Sequence, residues 1–79
     1  MSLNSKLYKQ VTRTLDTWKY GNILDLGFVD GYHTIIALNT PSYSMIPYRM
    51  GNQNYALVYE ANGVKVTEGT ISNVEITYL

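Results

Sequence analysis

The chain of 79 residues contains no cysteine and a single histidine, His33. Disulfides are therefore excluded, as is any metal centre built on thiolates or on several imidazoles. We expect neither a metal nor a cofactor. Because a chain of this length buries only a thin core, its stability must come from tight packing, from a bound ligand or from self-association.

Long apolar runs are also missing. No stretch approaches the roughly 18 residues that a transmembrane helix needs, and the N-terminal segment has no apolar core of the signal-peptide type. From these two absences we expect a cytoplasmic protein that has no membrane partner.

The sequence has no excess of charge, since 6 Lys and Arg balance 6 Asp and Glu. This balance is not typical of a strongly basic nucleic-acid-binding protein. The charges are nevertheless unevenly placed, because residues 1–20 carry four cations against Asp16 alone, a net charge of +3. A solvated basic face and an arm that docks on an acidic surface or on nucleic acid both agree with this excess. The four cations are Lys6, Lys9, Arg13 and Lys19.

Patterns that carry catalytic chemistry are absent as well. The chain has no nucleophile elbow, phosphate-binding glycine loop, calcium loop or dinucleotide glycine pattern. Asp25 and Asp30 lie five residues apart on a predicted strand, so their side chains are expected on opposite faces. With His33 expected to be structural, the sequence predicts a protein that is not an enzyme.

Two dipeptides, Asp30-Gly31 and Asn62-Gly63, are typical of two-residue hairpin turns between apolar, β-branched runs. Folding the chain about the first turn pairs His33 with Phe28. Folding it about the second places Glu60 opposite Lys65 and puts Tyr59, Ala61, Val64 and Val66 on the inner face. Alternation over residues 74–79 predicts a final strand.

Residues 5–20 are predicted to form a helix. Four apolar residues recur there at spacings of four, four and three, as on one helical stripe. These are Leu7, Val11, Leu15 and Trp18. A strand is the alternative, but it would place Lys9, Val11 and Arg13 on one face. The predicted fold is one α+β domain over residues 1–79, with an N-terminal helix and about five antiparallel strands in a bent sheet or small open barrel. The alternative is an all-β fold with residues 6–20 as a strand.

Residues 39–54 contain two prolines and end in a polar stretch, which predicts a loop with room for a short edge strand at 43–48. Tyrosine and methionine are common at protein interfaces. The densest such group is Tyr43, Met45, Ile46, Tyr48, Arg49 and Met50. We interpret this group as an interaction patch, with a cover over the core as the alternative. The sequence thus predicts a small assembly module that binds itself or another protein, with nucleic-acid binding as the second possibility.

Overall fold

The structure is a computed structural model that describes residues 7–79, apart from the side chains of Phe28 and Asp30. The described chain is a small, all-β domain with six strands. They are β1 (Lys9–Leu15), β2 (Ile23–Asp30), β3 (Ile35–Asn39), β4 (Ser44–Met50), β5 (Gln53–Tyr59) and β6 (Ile71–Tyr78). The predicted α+β class is therefore wrong.

The strands form two antiparallel sheets of three. Sheet A has the order β1-β6-β3, and sheet B has the order β2-β5-β4. The core lies between them and takes its fully buried side chains from both sheets. These include Val74 and Ile76 of sheet A and Leu24, Ala56 and Val58 of sheet B.

The predicted N-terminal helix is wrong, because residues 9–15 of it form strand β1 and none of its other described residues is α-helical. A spacing of four is shared by a helical stripe and by every second residue of one strand face. Val11 pairs with the buried Ile76, and Lys9 and Arg13 lie on the same face of β1. These two cations remain exposed because β1 is an edge strand, where long charged side chains reach past the sheet into water. Residues 5 and 6 of the predicted helix lie outside the described residues.

The hairpin predicted at Asp30-Gly31 is also wrong. Strand β2 pairs with β5 and strand β3 pairs with β6, so the chain crosses between sheets at this point. A type I′ turn needs positive φ at both central residues, and Gly31 does not have it. His33 therefore does not pair with Phe28; its ring instead meets Tyr78 edge-on, with centroids 5.4 Å apart.

Close backbone approach explains the glycine at this crossing. A Cβ atom on Gly31 would overlap the backbone carbonyl of Asn52. The buried side chain of Asn54 holds the bend, because its Nδ2 donates to the carbonyl oxygens of Val29 and His33, both at 3.1 Å. Gly31 is thus needed for packing rather than for a left-handed turn.

The second hairpin is present, but its register differs by one residue. Tyr59 pairs with Lys65, and Gly63 N donates to Glu60 O at 2.9 Å. Gly63 has φ +89° and Asn62 does not have positive φ, which is typical of a three-residue loop with a glycine bulge. Glu60 is therefore not opposite Lys65. The predicted inner face is wrong at Ala61 and Val64, which are exposed while Val58 is buried in the core, but its Val66 does pack against the core.

Residues 39–54 are mostly strand rather than loop. Strand β4 lies at the edge of sheet B, in agreement with the short edge strand expected at 43–48, and the edge position tolerates Pro47. A two-residue turn at Gly51-Asn52, with Gly51 at φ +61°, connects β4 to β5. The predicted C-terminal strand is confirmed, since β6 is the central strand of sheet A.

Candidate functional site

The side of sheet B that faces away from the core is largely apolar. Strand pairing places Ile23, Leu57 and Ile46 in one row across the sheet, and Asp25, Tyr55 and Tyr48 in the next. We call this surface the outer face of sheet B. Its apolar and aromatic residues are Tyr20, Ile23, Ile46, Tyr48, Met50, Tyr55, Leu57 and Tyr59, and its polar residues are Asp25, Ser44 and Gln53.

The outer face has a small apolar cluster of its own. Ile23 is 9% exposed and Tyr55 is 5% exposed, yet neither belongs to the core cluster between the sheets. Around them Ile46 is 50% exposed and Tyr48 is 38% exposed. The Tyr20 hydroxyl lies 3.8 Å from the Met50 sulfur, so a side chain that precedes β2 contacts the end of β4. A centre of buried apolar side chains is therefore ringed by exposed ones.

Strand β5 is the reason that both faces of sheet B are apolar. Its sequence, Gln-Asn-Tyr-Ala-Leu-Val-Tyr, places Ala56 and Val58 in the core and Tyr55, Leu57 and Tyr59 on the outer face. A continuous apolar run of this kind is typical of strands that are covered on both sides. The sequence interpretation missed this face, although the run in β5 was a usable sign of it.

One carboxylate lies within the outer face. Asp25 pairs with Tyr55, and its Oδ1 is buried without a hydrogen-bond partner in residues 7–79. Gly27 leaves room for the carboxylate, because a Cβ there would lie 2.8 Å from Asp25 Oδ1. An unsatisfied buried acceptor costs about 1–3 kcal/mol of stability, so this position is not optimised for folding alone.

The outer edges of two strands carry features that discourage edge pairing. Strand β1 bears the exposed Lys9 and Arg13, and the Arg13 Nη1 donates to the carbonyl oxygen of Thr12 at 3.2 Å. Strand β4 carries Pro47, which has no backbone N–H to offer a neighbouring strand. Charges and proline on edge strands are common protections against strand addition. The face of sheet B is therefore a better candidate for contact than these edges.

The predicted patch at 43–50 is divided by the pleat of β4. Ile46, Tyr48 and Met50 lie on the outer face of sheet B. Tyr43 and Met45 pack against the core instead. Arg49 pairs with Asn54 and its Nε donates to Gly51 O at 3.2 Å. The structure thus brings three of the six residues together on one surface and joins them to residues of β2 and β5.

The cations of the nucleic-acid alternative do not share a helix face. Lys9 and Arg13 lie on β1 in sheet A. Lys19 lies beside β2, where its backbone N donates to Ile23 O at 2.8 Å. Lys6 lies outside the described residues. The basic helix on which this alternative depends is absent from residues 7–79.

The described residues offer little for catalysis or metal binding. No group of three or more His, Asp or Glu residues in the described part of the chain could hold a metal ion. Six residues line a cavity of about 110 Å³, which is below the 300–1,000 Å³ common for small-molecule sites. They are Thr34, Ile35, Pro47, Tyr48, Arg49 and Asn54. A second, open depression of about 320 Å³ lies at Pro41–Ser44 and Ala61.

Comparison with known proteins does not add a function. The chain matches no family model, no curated protein and no solved structure. Within residues 7–79 the fold contains no helix of the length and apolarity needed to cross a membrane.

Proposed function

We propose that this protein is a non-catalytic assembly module that associates with itself through the outer face of sheet B. The observation that carries the proposal is the second apolar cluster, centred on Ile23 and Tyr55 and ringed by exposed side chains. Exposed contiguous apolar surface is uncommon on monomers and usually marks a contact site.

The size of the face agrees with a reversible dimer. Strands β4 and β5 span about 10 Å across and about 24 Å along their seven residues, and the paired part of β2 with segment 17–19 adds about 10 Å across over three residues. Two copies would then bury about 650 Å² before loops are counted, in the range of weak, transient interfaces below ~1,200 Å². We therefore expect an association that depends on concentration rather than a permanent dimer.

A second copy is favoured over an unlike partner by charge. The whole chain has a formal net charge of zero, and the outer face carries Asp25 in one row while Lys19 lies beside Ile23 in the next. Two copies of such a face meet without strong repulsion. Association would also add apolar burial to a domain whose own core is thin.

Two matched substitutions test the proposal. Ile46→Lys places a charge on the outer face of sheet B, and Ile36→Lys places the same charge on β3 of sheet A, where Ile36 is 43% exposed. Sedimentation velocity from micromolar to millimolar concentration should show a dimer for the natural chain and for Ile36→Lys. Ile46→Lys should remain monomeric.

Two results would overturn the proposal: a natural chain that stays monomeric at millimolar concentration, or an Ile36→Lys variant that is as impaired as Ile46→Lys. The nucleic-acid alternative remains a prediction with a separate test. It requires binding to an oligonucleotide at low salt that charge reversal at Lys9 and Arg13 removes.

A further inference from the structure

We infer that Asp25 of one copy and Tyr48 of a second copy form reciprocal hydrogen bonds across a twofold-symmetric dimer of the outer face. The inference rests on the proposed function and specifies its geometry. It starts from two polar groups, one in β2 and one in β4, that lie in the same row of sheet B on either side of Tyr55.

Asp25 is the group that lacks a donor. Its Oδ1 is buried and has no hydrogen-bond partner among residues 7–79, while the residue as a whole is only partly buried. Oδ1 itself has no accessible surface, so a molecule that docks on the face meets this carboxylate through its other oxygen, Oδ2, which is not buried. Ionised carboxylates accept stronger hydrogen bonds than neutral groups do, so a donor from a second copy would be favourable here.

Tyr48 is the group that lacks an acceptor. Its side chain is 38% exposed on edge strand β4, and its hydroxyl forms no hydrogen bond within the described residues. A tyrosine hydroxyl is held at the far end of a rigid ring that projects from the strand, and stacked sheets lie about 10 Å apart. A tyrosine hydroxyl is thus suited to meet a carboxylate on a facing sheet.

Symmetry decides which groups meet. A twofold axis that runs parallel to the strands over β5 exchanges the β2 side of one copy with the β4 side of the other. Asp25 then faces Tyr48, and by the same operation Tyr48 faces Asp25, as an isologous interface requires. An axis perpendicular to the strands through this row would place Asp25 against Asp25, which repels.

The adjacent row supports the same choice of axis. With the axis parallel to the strands, Ile23 faces Ile46 of the second copy and Leu57 faces its own counterpart. Apolar side chains then meet apolar side chains while the single carboxylate of the face meets a donor. Facing sheets whose strands are aligned within about 30° pack in this way.

A double-mutant cycle with Tyr48→Phe and Asp25→Asn tests the contact. Tyr48→Phe removes only the hydroxyl, and Asp25→Asn keeps the shape of the side chain but removes its charge. The dimer dissociation constant is measured by sedimentation equilibrium, and circular dichroism checks that each variant folds. Tyr43→Phe is the control, because it removes a hydroxyl from a tyrosine that packs against the core and lies outside the outer face.

We expect each single substitution to raise the dissociation constant at least about tenfold, because Tyr48→Phe loses the hydrogen bond, Asp25→Asn leaves only a weaker bond to a neutral amide oxygen, and the twofold axis repeats either change. The dissociation constant of the double variant should be no higher than that of the single variant that dimerises less tightly. Two results would overturn the inference and leave the proposed function standing. In the first, the effects of the two single substitutions on the dissociation constant multiply in the double variant. In the second, neither single substitution has an effect while Ile46→Lys still abolishes the dimer. A natural chain without any dimer would overturn both.

Discussion

The outer faces of the two sheets differ, although both sheets are three-stranded and antiparallel. On sheet A the outward residues of β1 and β6 are polar, as in the row of Thr12 and Glu75 and the row of Gln10 and Thr77, where Gln10 Nε2 donates to Thr77 Oγ1 at 3.1 Å, and the apolar exceptions are the exposed Ile36 and Ala37 of β3. On sheet B the corresponding positions are mostly Ile, Leu and Tyr, with Asp25 among them. Sheet A follows the alternation of a sheet that is solvated on one side, and sheet B does not.

This difference distinguishes a face that serves only the folded monomer from a face that we expect to contact a second copy. The mostly polar outer face of sheet A is suited to contact with water alone. The outer face of sheet B keeps apolar area exposed and holds a carboxylate oxygen without a partner, and neither feature helps an isolated monomer fold. The proposed function accounts for the exposed apolar area, and the inferred contact with Tyr48 gives the Asp25 carboxylate a hydrogen-bond donor.

The largest expected effect is at the crossing between the two sheets. Gly31→Ala should lower the free energy of unfolding by about 3 kcal/mol or more, because the new Cβ overlaps the Asn52 carbonyl and the crossing cannot close. Denaturant titration measures the loss. Gly51→Ala is the control, since it has space around it but φ +61°, and should cost about 1–2 kcal/mol. Equal losses would contradict the importance of this close approach.

Next in size is a comparison of neighbours on the two faces of β2. Leu24→Ala should cost about 3 kcal/mol, because Leu24 is fully buried between the sheets and its loss leaves a cavity. Ile23→Ala should cost about half as much in the monomer, since its surroundings on the outer face can relax. Both values come from thermal or denaturant unfolding at concentrations below the association range. Equal costs would mean that the outer cluster is a second core rather than a contact surface.

A smaller effect of opposite sign is expected at Asp25. Asp25→Ala removes the unsatisfied buried oxygen, so the monomer should gain about 1 kcal/mol of stability. Glu75→Ala, on the polar outer face of sheet A, should change stability by less than about 0.5 kcal/mol. Differential scanning calorimetry of dilute samples measures both. A destabilised Asp25→Ala monomer would show that the carboxylate supports the fold.

The smallest effect should come from making sheet A resemble sheet B at one position. Thr12→Val replaces one β-branched side chain by another on an exposed strand position, so stability should change by less than about 0.5 kcal/mol. Dimerisation should also be unchanged, as measured by sedimentation velocity. A variant that aggregates or forms a new dimer would indicate that one added apolar residue is enough for the outer face of sheet A to self-associate.

Local chemistry allowed part of the fold to be predicted. The C-terminal strand followed from alternation, and the hairpin at Asn62-Gly63 followed from its turn residues, although the glycine forms a bulge that shifts the register by one residue. Strand β1 was misread because Val11 and Leu15 fit a helical stripe as well as a strand face. Only the edge position of β1 explains why Lys9 and Arg13 can share that face.

The candidate site was less accessible to sequence interpretation. Ile46, Tyr48 and Met50 were in the predicted patch, but Tyr43 and Met45 of the same patch belong to the core side. Tyr20, Ile23, Tyr55 and Leu57 were missed because they come from separate segments that only strand pairing brings together. Similarly, Asp30-Gly31 has the composition of a hairpin turn, but its glycine serves a contact 21 residues away along the chain.

The sequence by itself determined the absence of disulfides and of thiolate metal sites, the periodicity of β6 and the turn at Gly63, because these depend on residues near one another in the chain. Tertiary structure alone decided which strands pair, which face of β5 is buried and where Asp25 lies relative to Tyr48. Strand pairing is non-local, and a strand that is apolar on both faces carries no internal sign of which face is covered. That choice created the outer face of sheet B, where we expect this protein to make its contacts.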